Sequence, residues 1–281
     1  GPAIAGSRST LSVVVTEPLP THSSARRRRA PIAGALLAVL VAPSLLPAER
    51  TSALPAGLHE DATVRARGAV ALIGDSLSFS HWAGLPEEFE QERWGPFQLE
   101  ARSGRFTTTT TPEATSGVDA VRRLRAGGFD PPIWIIALGT NDMSVTSAVP
   151  GATAALIDTM MSEIGPGRRV VWVDVYKRYS KGATAAFNNE LTAATGRHPG
   201  LTIANWHGLV AANLDWLTDD GVHLTLEGSR QRNRFVARAA AELTTALLVC
   251  GEMPGAVVHA PVNLSVEAAT ALLPAVRLCH R

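Results

Sequence analysis

The stretch VALIGDSLSFSHW, residues 70–82, decides how this chain is read. Val70, Ala71, Leu72 and Ile73 form a short apolar run that stops at Gly74, and Asp75 and Ser76 follow before the chain turns amphipathic. A run of this length closed by glycine reads as a buried strand. Asp and Ser are both good helix caps, so a turn followed by a helix N-terminus accounts for what comes next. It leaves open why a strand should end by presenting the hydroxyl of Ser76. The rest of the chain has to supply partners for that hydroxyl, or it is only a cap.

Working outward, the same alternation repeats. Apolar, β-rich runs occur at 68–74 (GAVALIG), 96–101 (PFQLEA), 132–139 (PIWIIALG), 168–176 (RRVVWVDVY) and 200–206 (GLTIANW). Helical patterns lie between and after them, at 77–92, 113–126, 151–164, 183–196 and a long one at 225–249. Strands alternating with helices predict an α/β domain, a five-stranded parallel sheet with helices on both faces in a three-layer sandwich. In such a sheet, reactive groups belong on the loops at the carboxyl ends of the strands. Those loops carry Gly74-Asp75-Ser76, Ser103-Gly104-Arg105, Gly139-Thr140-Asn141-Asp142 and, before the last helix, DDGVHLT at 219–225.

GDSLS, a glycine after the second strand, GTND and DGVHLT, in that order, resemble the four sequence blocks of the SGNH, or GDSL-type, hydrolases. The resemblance covers roughly residues 68–245. It implies a flavodoxin-like fold, a serine nucleophile, no metal and no cofactor. It assigns Ser76 as nucleophile, His223 as the base that takes its proton, and Asp220 as the carboxylate orienting His223. Adjacent Asp219 competes for that last role, and the family's D-x-x-H spacing selects Asp220. The implied oxyanion donors are the backbone N–H of Ser76, the backbone N–H of Gly104 and the side-chain amide of Asn141. The chemistry suits these residue types: a serine hydroxyl needs a neighbouring base, and a developing oxyanion needs neutral donors already aimed at it. Asp75 and Asp142 read as structural carboxylates. The TTTTT run at 107–111 reads as a polar loop or, alternatively, a hydroxyl-rich wall for a sugar. Trp82, Trp206 and Trp216 read as core residues or stacking platforms.

Composition narrows the partners. The 281 residues are 46% hydrophobic, and 26 Lys and Arg against 25 Asp and Glu leave a formal charge of +1, which gives no footing for nucleic acid. The eight histidines show no H-E-x-x-H or similar ligand spacing, and neither a phosphate loop nor a dinucleotide fingerprint is present.

The N-terminal part stands apart. Arg26 to Arg29 precede an uncharged stretch at 30–48, APIAGALLAVLVAPSLLPA. As a helix it would span roughly 28 Å, near a bilayer's hydrocarbon thickness. Its prolines weaken a helix, no tidy small-x-small cleavage site follows, and the segment ahead of the arginines carries its own LSVVV at 11–15. The expectation is an export or anchor segment, or the last span of a longer membrane protein, with the arginines inside and the chain after residue 50 outside. A core helix behind a basic loop is the other reading. The expected organisation is this segment at 1–49, a linker at 50–67, the catalytic domain at 68–249 and a C-terminal extension at 250–281. Cys250 and Cys279 suit a disulfide or two buried thiols equally.

The residues from VVWVDVYKRYS through WLTDDGVHLTLEGS further resemble the extracytoplasmic SGNH domains of bacterial cell-envelope O-acyltransferases. The expectation is therefore an exported or membrane-anchored serine esterase acting on acyl esters, chiefly O-acetyl esters, of envelope carbohydrate. Transfer of the acyl group to a carbohydrate hydroxyl is the alternative within enzymes. A catalytically silent carbohydrate-binding domain is the alternative outside them.

Overall fold

The computed structural model describes Ser12–Val13 and residues 67–249. The apolar segment at 30–48, the linker up to residue 66, Cys250, Cys279 and the extension at 250–281 lie outside the described residues. Among the described residues, no helix is long and apolar enough to cross a membrane.

Among the described residues, six strands lie parallel in one sheet: β1 (Ser12–Val13), β2 (Val70–Gly74), β3 (Phe97–Ala101), β4 (Ile133–Ala137), β5 (Arg169–Val173) and β6 (Leu201–Ala204). Their order across the sheet is β1-β3-β2-β4-β5-β6. The five strands expected from the sequence are all present, and each apolar run contains one. The two residues of β1 add a short edge strand beside β3, from inside the LSVVV stretch.

Side-chain alternation divides each central strand between two cores, as the period of two requires. Val70 and Leu72, Ile133 and Ile135, and Val171 and Val173 face one core. Ala71 and Ile73, Trp134 and Ile136, and Val170 and Trp172 face the other. All of these are buried, hence the near-continuous apolar runs in the sequence. The first core is closed by α2 (Leu85–Gln91), α7 (Trp206–Ala211) and α8 (Leu226–Val249). The second is closed by α3 (Gly117–Ala126), α5 (Ala152–Ile164) and α6 (Lys181–Arg197). From the central β2 the chain moves outward to β3, then crosses to β4 on the other side. Beside β2 the direction of winding reverses, which is where ligands bind in open α/β sheets.

The sequence pattern over 77–92 predicts one helix; the structure has two. A four-residue α1 (Ser76–Phe79) and a short 3-10 turn at Trp82–Gly84 precede α2, which Pro86 helps start near its N-terminus. Proline fixes its own backbone for the first turn of a helix but has no N–H to continue one. At 113–126 the helix starts later, at Gly117, because Ser116 caps it by accepting from Asp119 N–H. A short α4 (Met143–Thr146) and α7 carry too few residues to show a period. The tryptophans belong to the core: Trp206 is buried, stacks on Trp216 at 6.1 Å and tilts against Phe235, while Trp82 packs on the same cluster.

Arg67 already belongs to the domain. Its guanidinium donates to the carbonyl of Glu92 at 2.8 Å, and to the Ala241 carbonyl and the Thr245 hydroxyl at 2.9 Å each. The start of the domain is thereby held against its last helix.

Trp172 tests the packing. It is fully buried, and its indole N–H donates to the Leu138 carbonyl at 3.0 Å. Trp172→Ala opens a cavity and removes that carbonyl's partner, and should cost about 3–5 kcal/mol in chemical denaturation. Trp172→Phe keeps most of the volume and should cost less than half of that.

Candidate active site

Ser76 opens α1, and residues distant in sequence fix its place. Asp75, the N-cap, is fully buried and accepts from the Leu77 N–H at 2.9 Å. At Gly74 a Cβ would meet the Ser78 hydroxyl at 2.4 Å, so only glycine lets the strand run this close to the following helix. Behind α1 lies the first part of α8. Arg232 donates to Ser78 Oγ at 3.2 Å, Asn233 donates to the His81 carbonyl at 3.1 Å, and Ser229 Oγ lies 2.8 Å from His81 Nδ1. Burial raises the Asp75 carboxyl and lowers the buried Arg232 guanidinium from their ordinary values, and the charge of each partly offsets the shift of the other.

His223 and Asp220 sit on one tight loop. Leu217 and Leu224, both buried, form an antiparallel bridge, and Thr218 N–H donates to the His223 carbonyl at 2.8 Å. The loop brings His223 Nε2 to 3.1 Å from Ser76 Oγ and His223 Nδ1 to 2.6 Å from Asp220 Oδ2. With Nδ1–H given to Asp220, Nε2 is left to accept the serine proton. Asp220 Oδ1 accepts from the Val222 and His223 N–H groups and the Thr218 hydroxyl, each at 2.9 Å. The His223 hydrogen bond, with these further donors, holds the Asp220 carboxyl well below the usual carboxylate range, burial opposing. Of the two adjacent aspartates it is Asp220 whose carboxylate meets His223; Asp219 accepts from the Tyr179 hydroxyl through its backbone carbonyl at 3.5 Å. The His223 and Asp220 side chains are 48% and 49% exposed, so this pair faces solvent.

Gly104 lies in the turn after β3 with φ +70, a left-handed conformation that favours glycine. Asn141 follows β4, and its amide donates to the Arg105 carbonyl at 3.0 Å. An amide has two N–H groups, so this bond orients the side chain and leaves a second donor for a ligand. Ser76, Gly104 and Asn141 thus stand at the carboxyl ends of three adjacent strands, β2, β3 and β4. The arrangement has the parts for nucleophilic attack on a carbonyl: a hydroxyl, a base with its orienting carboxylate, and nearby N–H donors.

Asp142 holds the strand-end loops together. Its carboxylate accepts from Thr107 N–H at 3.0 and 3.1 Å and from Thr107 Oγ1 at 2.8 Å. Burial pushes it up to about 6, the Thr107 bonds opposing and nearby Asp75 adding to the rise. The threonine run is therefore partly structural: Thr107 is buried on Asp142, and the Thr110 hydroxyl donates to Asp119. Thr108 and Thr109 are exposed, and with Phe106, Val145 and Leu156 they line a groove of about 460 Å³ beside Asp142. Among the described residues, no three His, Cys, Asp or Glu side chains gather to hold a metal ion.

The sequence reading missed Ser229, Arg232 and Asn233, the residues that hold Ser78 of α1 and the following His81 in place. A signal was available. The buried positions of α8 run 228, 229, 232, 233, 236, 237, 240, 241, 243, 244 and 246, one helical stripe whose first turns are polar and whose later turns are mostly apolar. Polar side chains on the buried face of a helix need partners, and here they are Ser78 on α1 and His81 just after it.

Comparison with known proteins agrees with this fold. Residues 72–231 match the profile of the GDSL-like Lipase/Acylhydrolase family. Solved structures similar to the chain include the C-terminal catalytic domain of Streptococcus pneumoniae peptidoglycan O-acetyltransferase A, carrying a methylsulfonyl adduct. It has 18% identity and a TM-score of 0.50 over 66% of this chain and 96% of that one. TesA is another, at 17% identity and a TM-score of 0.48 over 63% of this chain and 99% of that one. At these identities the likeness is one of fold. No curated protein matches the chain in sequence.

Asp142 yields a pH prediction. Its folded value of about 6 lies above the ordinary 3.8, so the native state holds this proton more tightly than the unfolded chain. The stabilisation from that proton is complete below pH 3.8 and lost as pH rises through about 6. It amounts to at most about 3 kcal/mol. Denaturation of Asp142→Asn between pH 4 and 7 should show a smaller fall in stability over this range than the parent shows. An unchanged slope would mean that Asp142 is ionised throughout.

Proposed function

The chain belongs to the GDSL-like lipase/acylhydrolase family, whose members act on esters, and on that premise we propose that it cleaves O-acyl esters of cell-envelope carbohydrate, chiefly O-acetyl, through an acyl–Ser76 intermediate. The observation that carries the proposal is the relay from Ser76 Oγ to His223 Nε2 and from His223 Nδ1 to Asp220. His223 takes the Ser76 proton as Oγ attacks the ester carbonyl. The oxyanion is received by the N–H groups of Ser76 and Gly104 and the second N–H of Asn141. His223 then returns the proton to the departing alcohol, leaving acyl-Ser76. Water, deprotonated by His223, attacks the acyl carbon; the acid leaves and Ser76 regains its proton.

Two features support carbohydrate as the alcohol part. The same fold serves in the peptidoglycan O-acetyltransferase domain. The half-exposed His223 and Asp220 also leave room for an ester carried on a bulky polymer. This exposure favours a second reading as well, since a base open to the surface can deprotonate a sugar hydroxyl in place of water and complete a transfer. A chromogenic acetyl ester, assayed with and without a soluble oligosaccharide, separates the two. Acetate released regardless of the sugar supports hydrolysis, and acetylated sugar formed at the expense of acetate supports transfer.

The proposal extends to an extracytoplasmic site, with residues 30–48 as an export or anchor segment. A chain that crosses a bilayer there cannot also lay Ser12–Val13 along β3 on the far side, so the two arrangements exclude one another. Membrane fractionation of the full chain decides between them. The proposal expects the full chain in membranes or outside the cell, and a chain beginning near residue 60 to be soluble and active.

For the site itself, Ser76→Ala should retain the fold and lose all turnover, and a fluorophosphonate should label the parent at Ser76. Asn141→Ala should lower kcat by about 100- to 1,000-fold, through the oxyanion rather than through ester binding. Retained activity in Ser76→Ala, or label on another serine, would overturn the assignment.

A further inference from the structure

Arg105 is among the largest fully buried side chains, with its guanidinium inside the domain. Burying this charge is costly unless its N–H groups all find acceptors. Here they reach four. Nε donates to the Thr115 carbonyl at 3.1 Å, Nη1 to the carbonyls of Glu100 and Gly74, the latter at 3.4 Å, and Nη2 to Glu100 Oε2 at 3.4 Å. Burial still pushes the guanidinium down to about 10, the Glu100 carboxylate opposing. That carboxylate also accepts from Arg123 at 2.8 Å.

These acceptors are not scattered. Gly74 ends β2, two residues before Ser76, and Glu100 lies in β3, ahead of the Gly104 turn. Thr115 precedes the cap of α3, whose first N–H groups bind the carbonyls of Phe106 and Thr107. The backbone of Arg105 serves the same region. Its N–H closes the turn containing Gly104 by donating to the Arg102 carbonyl at 3.3 Å, and its carbonyl receives the Asn141 amide at 3.0 Å. One residue therefore ties the strand end before the serine to the glycine turn and to the amide.

We propose that Arg105 is a positioning residue for the oxyanion site, fixing the Gly104 N–H and the Asn141 amide relative to Ser76. The inference rests on the roles given to these three residues under Proposed function. Arginine is required because its rigid planar fork bonds several carbonyls at once, which a single ammonium cannot match. Arg105 touches no substrate and acts only through the donors it places.

A merely structural arginine would lower stability; a positioning residue changes how the Asn141 amide performs. The test is a double-mutant cycle of Arg105→Lys and Asn141→Ala, reading kcat and KM on a small acetyl ester beside thermal unfolding. Arg105→Lys should lower kcat by between about tenfold and about a hundredfold, with KM within about twofold of the parent. In the Asn141→Ala background the same change should cost under about threefold, because the amide it positions is gone. If Arg105→Lys shows no cooperative unfolding, Glu100→Gln takes its place in the cycle. It weakens the hold on the guanidinium while keeping residue 105, and should show the same non-additivity on a smaller scale. Equal losses in both backgrounds, or a loss confined to KM, would overturn the inference alone. A parent that turns over no ester and takes no fluorophosphonate at Ser76 would overturn the catalytic reading, and the inference with it.

Discussion

The parallel pairing of β2 with β3 on one side and β4 on the other is the constraint on which the site depends. The register sets Gly74 opposite both Ala101 and Ala137, so three strands end level with one another. Because they run the same way, the chain leaves all three at one edge of the sheet. Ser76, Gly104 and Asn141 follow within a few residues of those ends. A shift of register by one residue would exchange the side chains a central strand gives to its two cores, so the buried alternation that stabilises the sheet also fixes the height of the site.

Charge is then used in two different ways around this rim. Below it, carboxylates and guanidinium groups are taken out of water and act as fasteners: Asp75 caps α1 near Arg232, Asp142 binds Thr107, and Glu100 meets Arg105 and Arg123. Above it, Asp220 remains solvated and acts on one imidazole. The difference shows in the carboxyl groups, since burial raises Asp142 and Asp75 while hydrogen bonds lower Asp220. The fasteners lie beneath the strand ends that carry Ser76, Gly104 and Asn141. The base and its carboxylate travel together on one short loop.

The sheet was legible in the sequence because strands buried on both faces leave continuous apolar runs, and all five principal runs contain a strand. Ser76, Asp220 and His223 were legible because short blocks in a fixed order carry them, and the structure brings their side chains together. Other features were hidden for physical reasons. The break after Phe79 depends on Pro86 and on how His81 meets α8, whereas the apolar spacing there fits one helix equally well. Arg105 reads in the sequence as one more basic loop residue, and only the fold shows that its charge is buried. Arg232 and Asn233 lie on the inward stripe of a long helix, and their partners, Ser78 and the His81 carbonyl, are 154 and 152 residues away in the chain and are supplied only by the fold. Residues 30–48 stay a matter of composition, outside the described part of the chain.

The attachment of α8 to α1 bears on how the protein comes into being. The bond between Ser78 and Arg232 joins residues 154 apart in the chain, and that between Ser76 and His223 joins residues 147 apart. Synthesis proceeds from the N-terminus, and contacts of such long separation form only once both partners have emerged and the intervening chain has been ordered. Ser76 is made early, but neither His223 nor the helix that holds α1 exists until most of the domain has been synthesised. A nascent or C-terminally clipped chain would carry Ser76 without His223 or α8 beside it, so the contact between Ser76 and His223 is gained late and is tied to completion of the domain.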